Sequence, residues 1–304
     1  MSSRTYGPLL DALRGVRWPA RRAVGAALPG AHRSVQRGTS GEFTEYRLYR
    51  QGDDPRQLDW KLLARSDRAF VRLTDDRAVL PTWFVVDASA SMAYPEPDAD
   101  GDASDTKWSV ACALTVGLAA VAHASSDPVG LLAVSRDGPA RLSARTRRGT
   151  VGELARLLDQ QTVGGAAPLT PLLTTIPAMA RVVIVSDLLG DADALLRAAA
   201  QRTVAGGIVE CIHVVAAAEL ELPSGAFRAR DPDTAALERP MDARVRSEYR
   251  RRFDAFRADV AQRWRASGAG YVEVQTDASI VRVVRQIAAG SSRDHHGANS
   301  DVRA

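Results

Sequence analysis

Asp87, Ser89 and Ser91 alternate along the run Trp83-Phe-Val-Val-Asp-Ala-Ser-Ala-Ser-Met92, where an apolar stretch ends abruptly in a carboxylate and two hydroxyls. A hard divalent cation such as Mg²⁺ asks for an all-oxygen shell of this kind. At the C-terminal end of a strand, such ligands fall in the crevice where open α/β sheets bind their ligands. Each residue taken singly could instead cap the helix that follows.

The elements that must position this loop can be read from periodicity. From Thr82 onward strand-like and helix-like segments alternate, the signature of a parallel sheet covered by helices. Thr82–Asp87 reads as a buried strand and Lys107–Ala124 as its helix. Val129–Ser135 and Arg141–Ala144 read as strands around the turn Arg136-Asp-Gly-Pro-Ala, followed by a helix over Thr150–Gln161 and a fully buried strand over Arg181–Asp187. A helix over Asp191–Ala205, a strand over Ile208–Val215 and a charged, proline-bearing excursion over Ala216–Pro240 come next. In Asp242–Ser267 the residues Val245, Tyr249, Phe253, Phe256, Val260 and Trp264 form one apolar stripe at helical spacing, expected to face a core. Tyr271–Gln275 and Ser279–Ala289 supply a last strand and helix. The domain plan is an N-terminal helical or irregular segment over 1–40, a charged, β-rich subdomain over 41–80, an α/β domain over 81–289 and a polar tail over 290–304, expected to be disordered.

Composition bounds the function. A chain of 304 residues with 45% hydrophobic and 25% charged residues is ordinary globular material. Its 40 bases against 36 acids give a formal charge of +4, and the pI is near 9.4. The bases are nearly all arginine and are interleaved with acids, so they make no basic face for nucleic acid. Cys112 and Cys211 lie apart inside apolar runs and read as small core residues. Val110–Ala124 contains Thr115, Gly117 and His123 and falls short of the roughly 20 apolar residues of a membrane span, so a buried crossover helix is expected, in a soluble, cytoplasmic chain.

Catalysis is not expected. An Asp after a hydrophobic strand is also the nucleophile of dehalogenase-type phosphohydrolases, but these want a second Asp two residues on, where Ser89 stands, and a lysine for the phosphoryl group; the only lysines are Lys61 and Lys107. No Gly-x-Ser-x-Gly elbow, Walker loop or His pair at metal spacing occurs. The acidic insert Tyr94–Thr106 suggests a calcium loop through Asp98, Asp100, Asp102 and Asp105. It fails the EF-hand pattern because Gly101 takes the fourth place instead of the sixth and Ser109 the twelfth, which leaves a solvated loop.

Gly41–Asp76 has a different texture, with opposite charges interleaved among aromatics. Arg47, Arg50, Asp53, Asp54, Arg56 and Asp59 are expected to neutralise one another in a fold-holding network, with a docking surface as the alternative. The stretch Arg47-Leu-Tyr-Arg-Gln-Gly-Asp-Asp-Pro-Arg-Gln-Leu-Asp-Trp60, with Ala64-Arg65 and then Val85-Val-Asp-Ala-Ser-Ala-Ser-Met92, resembles the bacterial family called domain of unknown function 58. That family pairs an Arg-x-Tyr-x-x-Gly-Asp-Asp-x-Arg-x-x-Asp-Trp signature with a von Willebrand A-like domain. The resemblance implies a doubly wound, mostly parallel sheet with helices on both faces. It also implies a non-enzymatic interaction protein, often encoded beside MoxR-type AAA+ ATPases, that helps mature or assemble client proteins. Many relatives carry N-terminal membrane helices, which are not seen in this sequence.

In the metal-ion-dependent adhesion site of von Willebrand A domains, which the Asp-x-Ser-x-Ser spacing resembles, a second loop brings a Thr and a third an Asp. Thr170 in Gly164-Gly-Ala-Ala-Pro-Leu-Thr-Pro-Leu-Leu173 takes the second place, with Thr162 as a rival, and Asp187 at the end of Val182-Val-Ile-Val-Ser takes the third. Four residues separate Gly164-Gly165 from Thr170, a looser spacing than usual. The resemblance thus implies Mg²⁺ or Mn²⁺ held by Asp87, Ser89, Ser91, Thr170 and Asp187. It also implies a protein partner that offers an Asp or Glu to the metal, either a MoxR-type AAA+ ATPase or its client. A scaffold with a vestigial metal site is the alternative.

Overall fold

The computed structural model describes residues 5–18, 43–50, 58–66, 68–74, 79–96, 104–166, 168–222, 228–230, 238–240 and 242–290. The chain divides into two units, Val24–Val79 and the remainder.

The main unit is built on a six-stranded sheet. Its strands are β3 (Thr82–Asp87), β4 (Val129–Ser135), β5 (Gly138–Arg145), β6 (Arg181–Ser186), β7 (Ile208–Val215) and β10 (Gly270–Gln275), in the order β10-β7-β6-β3-β4-β5. All neighbours are parallel except the hairpin β4–β5, whose tight turn is opened by Gly138 at φ 103°. The central strands β3, β4 and β6 are buried along their whole length, as parallel strands covered on both faces must be. Their side chains alternate between two cores. Phe84, Val86, Leu131, Val183 and Val185 face one, against α1 (Gly7–Ala12), α3 (Lys107–Ala124), α4 (Thr150–Asp159) and α9 (Ile280–Ala289). Trp83, Val85, Leu132, Val182 and Ile184 face the other, against α5 (Thr170–Leu173), α6 (Ala192–Val204) and α8 (Ala243–Ala266). The short helix α7 (Ala217–Leu220) follows β7, and the pair β8 (Arg228–Arg230) and β9 (Glu238–Pro240) forms a small ribbon in the excursion before α8.

Helix α3 is apolar on every side and largely buried. Among the described residues it alone is long and apolar enough to cross a membrane, and 72% of it lies inside the protein. Gly117 lets α1 and α9 close on it: a Cβ there would stand 3.1 Å from both Leu13 Cδ1 and Val284 Cγ2. Residues 5–18 are therefore part of the core. Leu13 and Trp18 are buried, and Trp18 donates its backbone N–H to Ser125 Oγ at 3.2 Å. The apolar stripe of α8 is core-facing only in part: Val260 and Trp264 are buried, whereas Val245, Tyr249, Phe253 and Phe256 are half-exposed, with Tyr249 and Phe253 stacked at 5.5 Å.

At the N-terminal ends of the strands a buried Arg181 lies 3.5 Å from Asp127 and stacks its guanidinium 4.1 Å over the Trp18 ring, while Asp127 accepts the Leu80 N–H at 3.0 Å. Burial raises the Asp127 carboxyl and lowers Arg181, each against its partner's pull. Desolvation outweighs a pair this widely spaced.

The smaller unit holds β1 (Phe43–Leu48) antiparallel to β2 (Phe70–Thr74) with α2 (Trp60–Ser66) between them. Asp59 is not simply a member of a charge network. Its Oδ1 accepts the N–H groups of Lys61 and Leu62, both at 3.0 Å, and so caps α2. Arg50 is exposed; Asp53, Asp54, Arg56 and the Arg47 side chain lie outside what is described, as do Asp98, Asp100 and Asp102 of the acidic insert and the tail after Gly290.

Candidate metal centre

The chain leaves β3 for β4 on one side and returns to β6 on the other, so the topological switch point falls between the C-terminal ends of β3 and β6. The two carboxylates, 100 residues apart in sequence, stand there. Asp87 ends β3, and Asp187 directly follows β6; both are buried, as are Ser89 and Ser91.

Each is fixed by local bonds. The Asp87 carboxylate turns its own loop by accepting the Ser89 N–H at Oδ1 (2.9 Å) and is tied to the neighbouring strand by the Ser186 hydroxyl at Oδ2 (2.7 Å). Ser89 and Ser91 place their hydroxyl oxygens 3.1 Å apart at the start of a single 3-10 turn, Ala90–Ala93. Asp187 accepts the Leu189 N–H at Oδ1 (3.2 Å), across a buried Leu188 held at φ 57°. A left-handed leucine costs of order 1–3 kcal/mol, which the buried structure around it must offset.

The second loop docks on the first through its glycines: Ala90 donates to the Gly165 carbonyl at 3.0 Å and Gly164 to the Ala88 carbonyl at 2.9 Å. Gly164 and Gly165 have φ of 155° and 69°. Thr162, three residues after α4, is exposed. Thr170 opens α5 and is half-buried, and its hydroxyl makes no hydrogen bond to another described residue. The structure thus joins the Asp87, Ser89 and Ser91 loop to Asp187 through Ser186 and to the glycine pair of the second loop.

Sequence reasoning missed the residue nearest to Asp187. Lys107, the first residue of α3 and fully buried, places Nζ 2.7 Å from Asp187 Oδ2 and 2.8 Å from Glu219 Oε1 on α7, with the Tyr94 ring 5.9 Å away. Glu219 is itself held by the Ala216 N–H at Oε2, 2.8 Å. Burial alone would lower the Lys107 pKa, but Asp187 and Glu219 overcome it and raise the pKa above the ordinary value. The clue was compositional: in a chain that writes 38 of its 40 bases as arginine, a lysine heads the helix after the loop of Asp87, Ser89 and Ser91. His213 was also passed over. It pairs with Ser186 in register, packs against the Asp187 main chain, and shares a 2.7 Å hydrogen bond with the Tyr271 hydroxyl.

Whether these residues suit a divalent ion can be judged from their own geometry. Two cis ligands of an octahedral ion at 2.0–2.1 Å lie about 3 Å apart, and the Ser89 and Ser91 oxygens match that edge. The charges agree as well. Asp187 and Glu219 hold one ammonium between them, and Asp87, close enough to feel the Asp187 charge, is bonded to the Ser89 N–H and the Ser186 hydroxyl, so three formal negative charges meet one cation and leave a surplus of two. Burial first, then the Asp187 charge, raise the Asp87 carboxyl, and an added cation would relieve that pressure. No group of three or more His, Cys, Asp or Glu side chains converges among the described residues, so the donors would be two carboxylates with hydroxyls.

A doubly wound sheet with carboxylates and hydroxyls gathered at its switch point makes the main unit a von Willebrand A-like domain. The chain belongs to the family described as protein of unknown function DUF58, whose model matches residues 45–259. Among its relatives are Uncharacterized protein Rv1480 of Mycobacterium tuberculosis and Uncharacterized protein Mb1516 of Mycobacterium bovis, each 30% identical over 94% of this chain and 92% of its own. Similar solved structures include the conserved hypothetical protein BatB of Bacteroides thetaiotaomicron, with 14% identity, 70% of this chain and 98% of that one covered, and a TM-score of 0.45. Another is the VWA domain of SpRpn10, with 11% identity, 68% and 94% covered, and a TM-score of 0.38.

Proposed function

We propose that the protein is a non-enzymatic interaction module whose crevice between β3 and β6 holds Mg²⁺ or Mn²⁺ through Asp87, Ser89, Ser91, Thr170 and Asp187, directly or by way of water. The observation that carries this reading is the pair of Ser89 and Ser91 oxygens set 3.1 Å apart beside buried carboxylates with a negative surplus. A divalent ion in that place supplies a coordination position for a carboxylate from another protein. The chain's own part is to hold its donors in place with the Ser186 and Ser89 hydrogen bonds and to exclude bulk water by burial. The partner would offer an Asp or Glu, and the family resemblance points to a MoxR-type AAA+ ATPase or its client in the cytoplasm. Oxygen donors alone favour hard cations over softer metals.

Isothermal titration with Mg²⁺ tests this. The native protein should bind and Asp87→Asn should not; equal heats from the two would overturn the assignment.

A structural scaffold with a vestigial site is the second reading, favoured by one observation: the Asp187 oxygen already carries the Lys107 ammonium. It requires that the native protein itself gives no heat with Mg²⁺.

A further inference from the structure

We propose that Lys107 is a tethered counter-ion that competes with the divalent cation for Asp187, and that Glu219 is the carboxylate that keeps the ammonium when the cation takes Asp187. This rests on the metal reading above.

The placement of Lys107 is costly unless its charge is used. A helix N-terminus carries partial positive charge and favours anions, yet this buried cation stands at the first position of α3, a helix with no acid in its first turn. Thr106 caps the helix, accepting from Ser109 N at 3.1 Å, so Lys107 is not needed there for capping. Its two contacts divide naturally. Glu219 is anchored independently by the Ala216 N–H and offers its other oxygen to Nζ; Asp187 is anchored by the Leu189 N–H and offers Oδ2 to the same ammonium. One point charge therefore bridges a carboxylate of the metal set and a carboxylate outside it. A lysine, a compact cation on a flexible stem, can shift between two such oxygens, whereas the planar fork of arginine would fix both.

The arrangement solves a problem that a buried pair of carboxylates creates. Without a cation, Asp87 and Asp187 repel each other in a place of low polarity. The ammonium offsets part of that repulsion in the metal-free protein through its bond to Asp187. A dication arriving at Asp187 must displace or repel it, so affinity is held down and binding stays reversible.

The test uses the full chain, Mg²⁺ alone as the probe and two variants with opposite expected signs. Lys107→Met keeps the stem and removes the charge, and should tighten Mg²⁺ binding by about tenfold, the scale of one lost like-charge contact, with a larger Mg²⁺-induced rise in melting temperature. Glu219→Gln removes the reserve carboxylate and should weaken binding by a similar factor. General damage to the site would weaken both, so the opposite signs are diagnostic. If the native protein binds Mg²⁺ and Lys107→Met binds equally or more weakly, the competition is disproved while the metal site stands. If Lys107→Met does not fold, Glu219→Gln decides: unchanged or tighter binding overturns the proposal. If neither the native protein nor either variant binds Mg²⁺, the metal reading falls, and the competition with it.

Discussion

His213 stands one strand away from the crevice, buried, with Phe256 edge-on at 6.2 Å and Tyr271 on Nδ1. Burial is the main cause that brings its pKa down to about 4, against the smaller upward pulls of Glu273 and Asp187. The folded protein therefore keeps this imidazole neutral, while the unfolded chain protonates it below about 6.5. Between those two values the unfolded state binds the extra proton, so the contribution is fully present above pH 6.5 and is lost as the pH falls toward 4. It amounts to about 2 kcal/mol between pH 7 and 5. Urea unfolding at these two pH values should show that loss in the native protein and a clearly smaller one in His213→Asn; equal losses would show that His213 does not carry the dependence. The two ends of the sheet thus treat buried charge differently. Arg181 and Asp127, 3.5 Å apart, are both pushed toward neutrality, whereas Lys107, 2.7 and 2.8 Å from two carboxylates, is held charged.

Strands β3 and β4 are packed so closely that one hydrogen atom decides their spacing. Gly130 pairs with Trp83 in register, and a Cβ at Gly130 would stand 2.8 Å from the Trp83 ring and 3.0 Å from the Ala144 nitrogen. Gly130→Ala should cost about 1–3 kcal/mol in urea unfolding, as overpacking does. Adding Trp83→Leu should make the double variant less than additive, and strict additivity would refute the contact. The same elements show what a single sequence reveals. The strands of the main sheet and the long helices between them were legible because parallel strands buried on both faces are continuous apolar runs, separated by longer helix-forming segments, whereas α7, β8 and β9 lay hidden in the charged excursion. The loop of Asp87, Ser89 and Ser91 at the end of β3 was legible because the three are neighbours in sequence. Lys107 and Glu219 were not, since their meeting depends on α3 and α7 converging on the end of β6 across 80 and more residues. Trp18 and Leu13 were missed for a related reason: their partners, Arg181 and the α3–α9 seam, lie far downstream.

At the scale of the whole molecule, a metal-dependent partner should be separable from an indifferent one. A pull-down from native cytoplasm with Mg²⁺ should capture a protein that is lost with EDTA and lost with Asp87→Asn; capture in all three conditions would sink the interaction reading. The acidic run from Glu96 to Asp105 follows the metal loop in sequence, so such a partner should surround its ligating carboxylate with bases. Helix α3 has a consequence for how the molecule comes into being. Its cover of α9 is synthesised last of the elements that pack on it, after some 165 further residues have been translated. At ordinary elongation rates that interval is roughly 10–30 s. Through it, an 18-residue apolar segment that would pass for a membrane span sits without its final neighbour, with apolar surface open to aggregation or to a chaperone until α9 arrives.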